Sequence, residues 1–285
     1  MVVLSRVATT AIGHEAPQEV DAKVVELQKV KDNLYLLKGG GANSVAFVTD
    51  LGVVLIDTKP AGWGPSIAQK LKTVTNKPVT TIINTHAHVD HVSGNEFFPA
   101  SVEIIAHENT RAIMDKMPMF GGAKATFLPK LTFKEKTTIG AGKDRIDLYF
   151  FGAGHTGGDA WVVFPAVGVA YCGDLLVDRA LPVIDIKSGG SGMAYSDTLA
   201  KATTRIGNAE IIITGHDGLM AMKDLEEYTR FTRYFRDMVI TDVHRGLSIG
   251  EVAEAWKAPE QYRSYAAPPD RVRANVEAIF GELTR

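Results

Sequence analysis

Short apolar runs, separated by glycine-rich turns, set the rhythm of this chain. Residues 24–27, 34–37, 45–48 and 53–56 are each dominated by Val, Leu, Ile or Phe, the composition of strands that pack on one or both faces. Gly39-Gly40-Gly41 and Asp50-Leu51-Gly52 lie between them and supply turns, so the spacing predicts an antiparallel meander of four strands. The pattern then changes period. In 65–75, Ile67, Leu71 and Val74 fall on one face of a helix. Further strands are predicted at 80–84 and 102–106, with a helix after the second to about residue 116. Three more apolar runs follow, at 146–150, around 170–172 and at 211–213. Beyond residue 216 the chain reads as helical: a long amphipathic pattern at 225–244 and shorter ones at 248–255 and 270–283. These helices are expected to pack on the strand layers or extend them rather than form a domain; they offer a face for a dimer, and the sequence leaves the oligomeric state open. Residues 1–22 read as a weakly ordered lead-in, and 23–285 as a single domain.

Composition narrows the class. The chain has 285 residues, 45% hydrophobic and 22% charged, with a formal net charge of −2. That is enough to bury a sizeable core. No basic block marks a nucleic-acid surface, and no apolar run approaches the ~20 residues of a membrane span. The first residues lack the charged start and apolar stretch of a signal peptide, which leaves the compartment open: cytoplasmic, or periplasmic if a signal has been removed. The lone cysteine, Cys172, excludes an internal disulfide.

The chemistry concentrates in His86-Ala87-His88-Val89-Asp90-His91, three imidazoles and a carboxylate directly after a β-branched strand. Neutral imidazole and carboxylate are the ligands of zinc and other first-row divalent metals. His86 and His88, two apart in extended chain, point the same way, whereas the adjacent Asp90 and His91 diverge. That geometry suits two neighbouring metals better than one. One loop cannot close two sites, so further donors are needed. His155, Asp174 and His216 each follow a strand-like run and sit beside glycine, which lets the backbone turn sharply toward a ligand. His107 reads instead as a helix-start residue, and His14 and His244 as structural.

The order H-x-H-x-D-H, then Gly154-His155-Thr156-Gly157-Gly158-Asp159, then Gly173-Asp174-Leu175-Leu176, then Gly215-His216 resembles the metallo-β-lactamase superfamily from about Val30 to beyond His216. The resemblance implies an α/β (α+β) fold, a four-layer αββα sandwich with the metals at one edge of its sheets. It implies two zinc ions, with iron or manganese as alternatives. His86, His88 and His155 would hold the first, Asp90, His91 and His216 the second, and Asp174 would bridge them. A water or hydroxide between the metals would be the nucleophile, with Asp90 as the catalytic residue that orients it. Asp57, at the end of the fourth strand, would support the metal loop from behind; the alternative is a turn or helix-start aspartate.

Cys172 lies two positions before Asp174. Strand alternation turns it toward the metals; otherwise it is a small core residue. The substrate is expected to be a small molecule. Trp63 and Phe120, the latter in an apolar loop that reads equally as a lid or as a packed surface segment, are candidate walls of the site. Lys187, Ser188 and Ser191 are candidate receivers of a substrate carboxylate. The resemblance implies a dinuclear zinc hydrolase of an ester, lactone, thioester or β-lactam. Val177 stands where the quorum-quenching lactonases have tyrosine, and neither the basic tail of glyoxalase II nor the inserted elements of the nucleases are found. Two rival readings share the fold: a mononuclear iron sulfur dioxygenase and a non-catalytic metal-binding relative.

Overall fold

The computed structural model describes residues 23–284, so the expected lead-in at 1–22 lies outside the described residues. Among the described residues, thirteen strands form two sheets. The first runs β1 (Glu26–Lys31), β2 (Leu34–Lys38), β3 (Ser44–Val48), β4 (Val53–Ile56), β5 (Val79–Asn84), β6 (Glu103–His107) and β7 (Leu131–Phe133), hydrogen-bonded in that order. Its first four strands are the antiparallel meander expected from the sequence, and β4 to β7 pair in parallel. The second sheet holds β8 (Lys136–Ile139), β9 (Ile146–Tyr149), β10 (Trp161–Phe164), β11 (Val169–Tyr171), β12 (Ile211–Ile213) and β13 (Leu219–Ala221). There only β11 and β12 pair in parallel.

Alternation along the strands builds three layers of core. In β3, Val45 and Phe47 face the other sheet while Ala46 faces out; in β4, Val54 and Ile56 face in while Val53 and Leu55 face out. The inward set meets Leu148, Val162, Phe164 and Ile213 of the second sheet. The outward set of the first sheet is covered by Ile67 and Leu71 of α1 (Gly64–Leu71). On the far side, Trp161, Ala170 and Ile212 are covered by α4 (Tyr195–Arg205), α5 (Met222–His244), α6 (Ile249–Ala255) and α7 (Pro269–Leu283). Because both faces of these strands are buried, they read as continuous apolar runs. The result is the expected helix–sheet–sheet–helix sandwich.

Several elements depart from expectation. β1 starts two residues late, and α1 stops at Leu71 rather than 75. The short pair β7 and β8 and the helix α4 give little sequence signal. In α4 the buried face is Tyr195, Ser196, Thr198, Leu199 and Ala202, too polar to stand out. The short α2 (Val89–Val92) and α3 (Glu108–Met114) follow β5 and β6. His107 caps α3 as read from the sequence, its Nδ1 accepting from the Asn109 amide at 3.2 Å.

Candidate metal centre

The centre forms where strands of both sheets end at one edge. β5 delivers His86 and His88, and α2 carries Asp90 and His91. The loop after β9 brings His155, the turn after β11 Asp174, and the turn after β12 His216. Two glycines make this convergence possible. Gly173 adopts φ +53°, which ends β11 and turns Asp174 inward. At Gly215 a Cβ would stand 1.9 Å from Asp174 Oδ1, so any larger residue would displace that carboxylate.

Donor atoms of His86, His88, His155 and Asp174 lie within 4.8 Å of one another, as do those of Asp90, His91 and His216. Asp174 stands between the groups: Oδ2 is 3.7 Å from His86 Nε2, 3.5 Å from His155 Nε2 and 3.1 Å from His216 Nε2, and Oδ1 is 3.3 Å from His91 Nε2. Asp90 Oδ2 lies 3.4 Å from His216 Nε2.

Each imidazole has one nitrogen tied outward. His91 Nδ1 donates to Asp57 Oδ2 at 2.7 Å, His155 Nδ1 to the Val183 carbonyl at 2.8 Å, and His216 Nδ1 to the Gly41 carbonyl at 2.9 Å. His88 Nε2 donates to Asp185 Oδ2 at 3.0 Å, and His86 Nδ1 to Thr85 Oγ1 at 3.0 Å. The opposite nitrogens face one another across the centre; His88 Nδ1 and His155 Nε2 are 3.0 Å apart. His86 Nε2, His91 Nε2 and Asp174 Oδ1 are buried with no hydrogen-bond partner. Buried polar atoms without partners are costly, and ligation by a metal removes that cost. The residues present therefore fit divalent metal.

Electrostatics agree. Burial, reinforced by the neighbouring His91, drives the His86 imidazole well below its ordinary pKa, and burial holds His155 down at about 4; both rings are neutral donors at pH 7. Burial alone would lower His91 too, but the Asp57 and Asp174 carboxylates raise it to about 10. Burial opposes ionisation of Asp174, yet the surrounding imidazoles, His86 foremost, hold it well below the usual carboxylate range.

Behind the donors lies a support that the sequence showed only in part. Asp57, fully buried at φ +57°, accepts from the Thr85 amide at 2.8 Å, Thr85 Oγ1 at 2.7 Å, Tyr171 Oη at 2.9 Å and His91 Nδ1. Tyr171 and Asp185 were not singled out by sequence, nor was Lys59. Its buried ammonium donates to the carbonyls of Leu37, Gly39 and Ala42 and so fixes the glycine loop that holds His216. The signal was available for Lys59: a lysine directly after Asp57-Thr58 at a strand end. Burial lowers its pKa to about 8.

Cys172 departs from the alternation argument. β11 ends at Tyr171, so the register does not carry through; Cys172 is 1% exposed in the outer core, its thiol on the Ile213 carbonyl at 3.4 Å. The expected substrate contacts also lie elsewhere. A cavity of about 330 Å³ opens on His88, Asp90, His155, Asp174 and His216, and none of Trp63, Phe120, Lys187, Ser188 or Ser191 lines it. Phe120 is buried with Ala87, Val92 and Met114 beneath the metal loop, so it packs under the loop rather than walling the cavity, while residues 121–125 that follow it are exposed. Trp63 covers Gly40. Ser191 Oγ donates to Glu282 at 2.6 Å, and the amides of Lys187 and Ser188 donate to Asp185. From that loop it is Asp185 that reaches the centre.

The chain is 29% identical over 245 residues to a protein named Metallo-beta-lactamase type 2 from Elizabethkingia meningoseptica, covering 76% of this chain and 86% of that one. It is 28% identical over 153 residues to the 2,4-dinitroanisole O-demethylase subunit alpha of Nocardioides sp. (strain JS1661), covering 52% of this chain and 45% of that one. Among solved structures, a metallo-beta-lactamase from Pontibacter korlensis superposes with a TM-score of 0.64 at 20% identity, over 73% of this chain and 99% of that one. The sec-alkylsulfatase Pisa1 from Pseudomonas sp. superposes with a TM-score of 0.77 at 14% identity, over 90% of this chain and 50% of that one. At such identities the superpositions speak for the fold alone. The family model described as metallo-beta-lactamase superfamily matches residues 37–216, which contain all seven donors, and this chain belongs to that superfamily.

Proposed function

We propose that this chain is a dinuclear, zinc-dependent hydrolase that attacks the carbonyl of a small molecule: an ester, lactone, thioester or β-lactam. The observation that carries the reading is the convergence of His86 Nε2, His91 Nε2 and Asp174 Oδ1, buried and unpartnered, between two donor groups that share Asp174. His86, His88 and His155 would hold one metal, Asp90, His91 and His216 the other, with Asp174 common to both. Metal held there would supply hydroxide at neutral pH, by lowering the pKa of a bound water to about 7, and a Lewis acid for the substrate carbonyl.

This chain's own residues do the rest. Asp90, half-buried at the cavity floor, accepts a hydrogen bond from the attacking water and orients it. Asp57, Asp185 and the Val183 and Gly41 carbonyls hold the imidazoles in one orientation, which spares reorganisation during the reaction. Leu176, Val177 and Val183 line the cavity with apolar surface and exclude bulk water from one side. No described helix is long and apolar enough to cross a membrane.

Zinc-loaded protein assayed against a panel of chromogenic β-lactam, lactone, thioester and aryl ester substrates tests the proposal. Turnover that stops on chelation and returns with zinc is expected. A protein carrying iron that consumes oxygen with a persulfide, or a zinc-loaded protein that cleaves no member of the panel, would overturn it.

A further inference from the structure

The cavity over the donors is lined by one residue from far along the chain. Arg271, in the first turn of α7, is the only lysine or arginine that lines it among the described residues. Arg271 is half-buried, its Nη1 donates to the Leu181 carbonyl at 3.1 Å, and no carboxylate lies within 4.0 Å of its guanidinium among the described residues. A guanidinium has five N–H donors, so most of its capacity is unused by the protein. Of the acids on the lining, Asp90 and Asp174 belong to the donor cluster, and Asp217 has Oδ2 committed to the Asp178 amide at 2.9 Å. The apolar side chains of Leu176, Val177 and Val183 line the same cavity.

An arginine without a counter-ion at the wall of a ligand cavity is a receptor for an anion, and its planar fork matches a carboxylate. We infer that Arg271 is the anion-recognising residue of this site, and that the substrate is a small carbonyl compound bearing a carboxylate. That carboxylate sits on Arg271, the apolar body lies along Leu176, Val177 and Val183, and the scissile carbonyl faces the metal donors. This rests on the hydrolase reading above and adds to it the substrate class. It also moves the expected carboxylate receiver from Lys187, Ser188 and Ser191, which do not line the cavity, to the C-terminal helix.

The experiment uses the metal-loaded full chain and two readouts. The first compares kcat/KM for a 4-nitrophenyl alkanoate with that for the chain-matched ester carrying a terminal carboxylate. The second compares, by calorimetry, the binding of butyrate and glutarate, which differ by one carboxylate and need no turnover. A charge-assisted contact is worth about 10–100-fold, so the carboxylate partner is favoured by that factor in both readouts. In Arg271→Gln the factor falls to about one; in Arg271→Lys, which keeps the charge without the fork, part of it remains. A wild-type protein that shows no preference in either readout, or a preference that persists in Arg271→Gln, overturns the inference. If neither ester is cleaved while glutarate is still favoured through Arg271, the hydrolase reading fails and the anion site stands.

Discussion

The two halves of the donor cluster are built to different degrees of enclosure. In the first, the side chains of His86 and His155 are 1% and 2% exposed and His88 27%; in the second, His91 is fully buried, while Asp90 is 30% and His216 44% exposed. The first half grows from the end of a central strand and a loop, its outer contacts running to Thr85, Asp185 and the Val183 carbonyl. The second hangs His216 on a turn steadied by Gly41 and anchors His91 through Asp57, with Asp90 beside it on α2. Asp174 belongs to both. The difference teaches that a metal in the first half would be the more enclosed, held by two buried imidazoles, and one in the second would rest on the more exposed donors, although both halves open on the cavity, through His88 and His155 and through Asp90 and His216.

The sharpest break of this comparison is His86→Ala. It removes a buried donor from the enclosed half, and turnover is expected to fall by more than the ~100-fold upper range typical of losing an outer partner, with metal analysis showing the first ion gone. His216→Ala should instead leave the first ion in place and lose only the second; loss of both from that variant would mean the halves are not separable.

Asp57→Ala comes next. It strips one acceptor from four donors at a fully buried point, with an expected cost of about 3–5 kcal/mol in chemical denaturation. Metal affinity should drop about 10–100-fold in the second half, through His91.

Acidity separates the halves more gently. His86 and His155 are neutral at pH 7, whereas His91 is raised to about 10 and His216 is also raised, chiefly by its hydrogen bond to Asp174. A metal entering the second half must displace protons, so its affinity should weaken on acidification by about tenfold per pH unit for each proton displaced. Between pH 6 and 8, His86 and His155 contribute no such slope to the first half. Zinc calorimetry in buffers of different ionisation enthalpy counts the protons released.

The smallest effect belongs to Cys172→Ala. With the thiol in the outer core, it should cost about 1 kcal/mol of stability and leave metal content unchanged. Lost metal would place that side chain at the centre after all.

What the sequence made legible follows from the same geometry. Runs such as Val53-Val54-Leu55-Ile56 show their strands because both faces are buried. The donors show themselves as chemically unusual residues at strand ends beside glycine. The supporting groups do not, because their role depends on tertiary register: Tyr171 meets Asp57 across 114 positions, and Asp185 meets His88 across 97. Arg271 is an ordinary helix arginine until α7 folds over the second sheet. For Cys172 the core reading holds and the alternation reading does not, because β11 ends at Tyr171 and the positive-φ Gly173 turns the chain between Cys172 and Asp174.

The most direct measurement is zinc bound per chain, titrated to saturation against a competing chelator of known affinity. Two ions per chain, the first tighter than the second, is the result expected of two donor groups joined by Asp174. A single ion at saturating zinc would contradict a dinuclear centre.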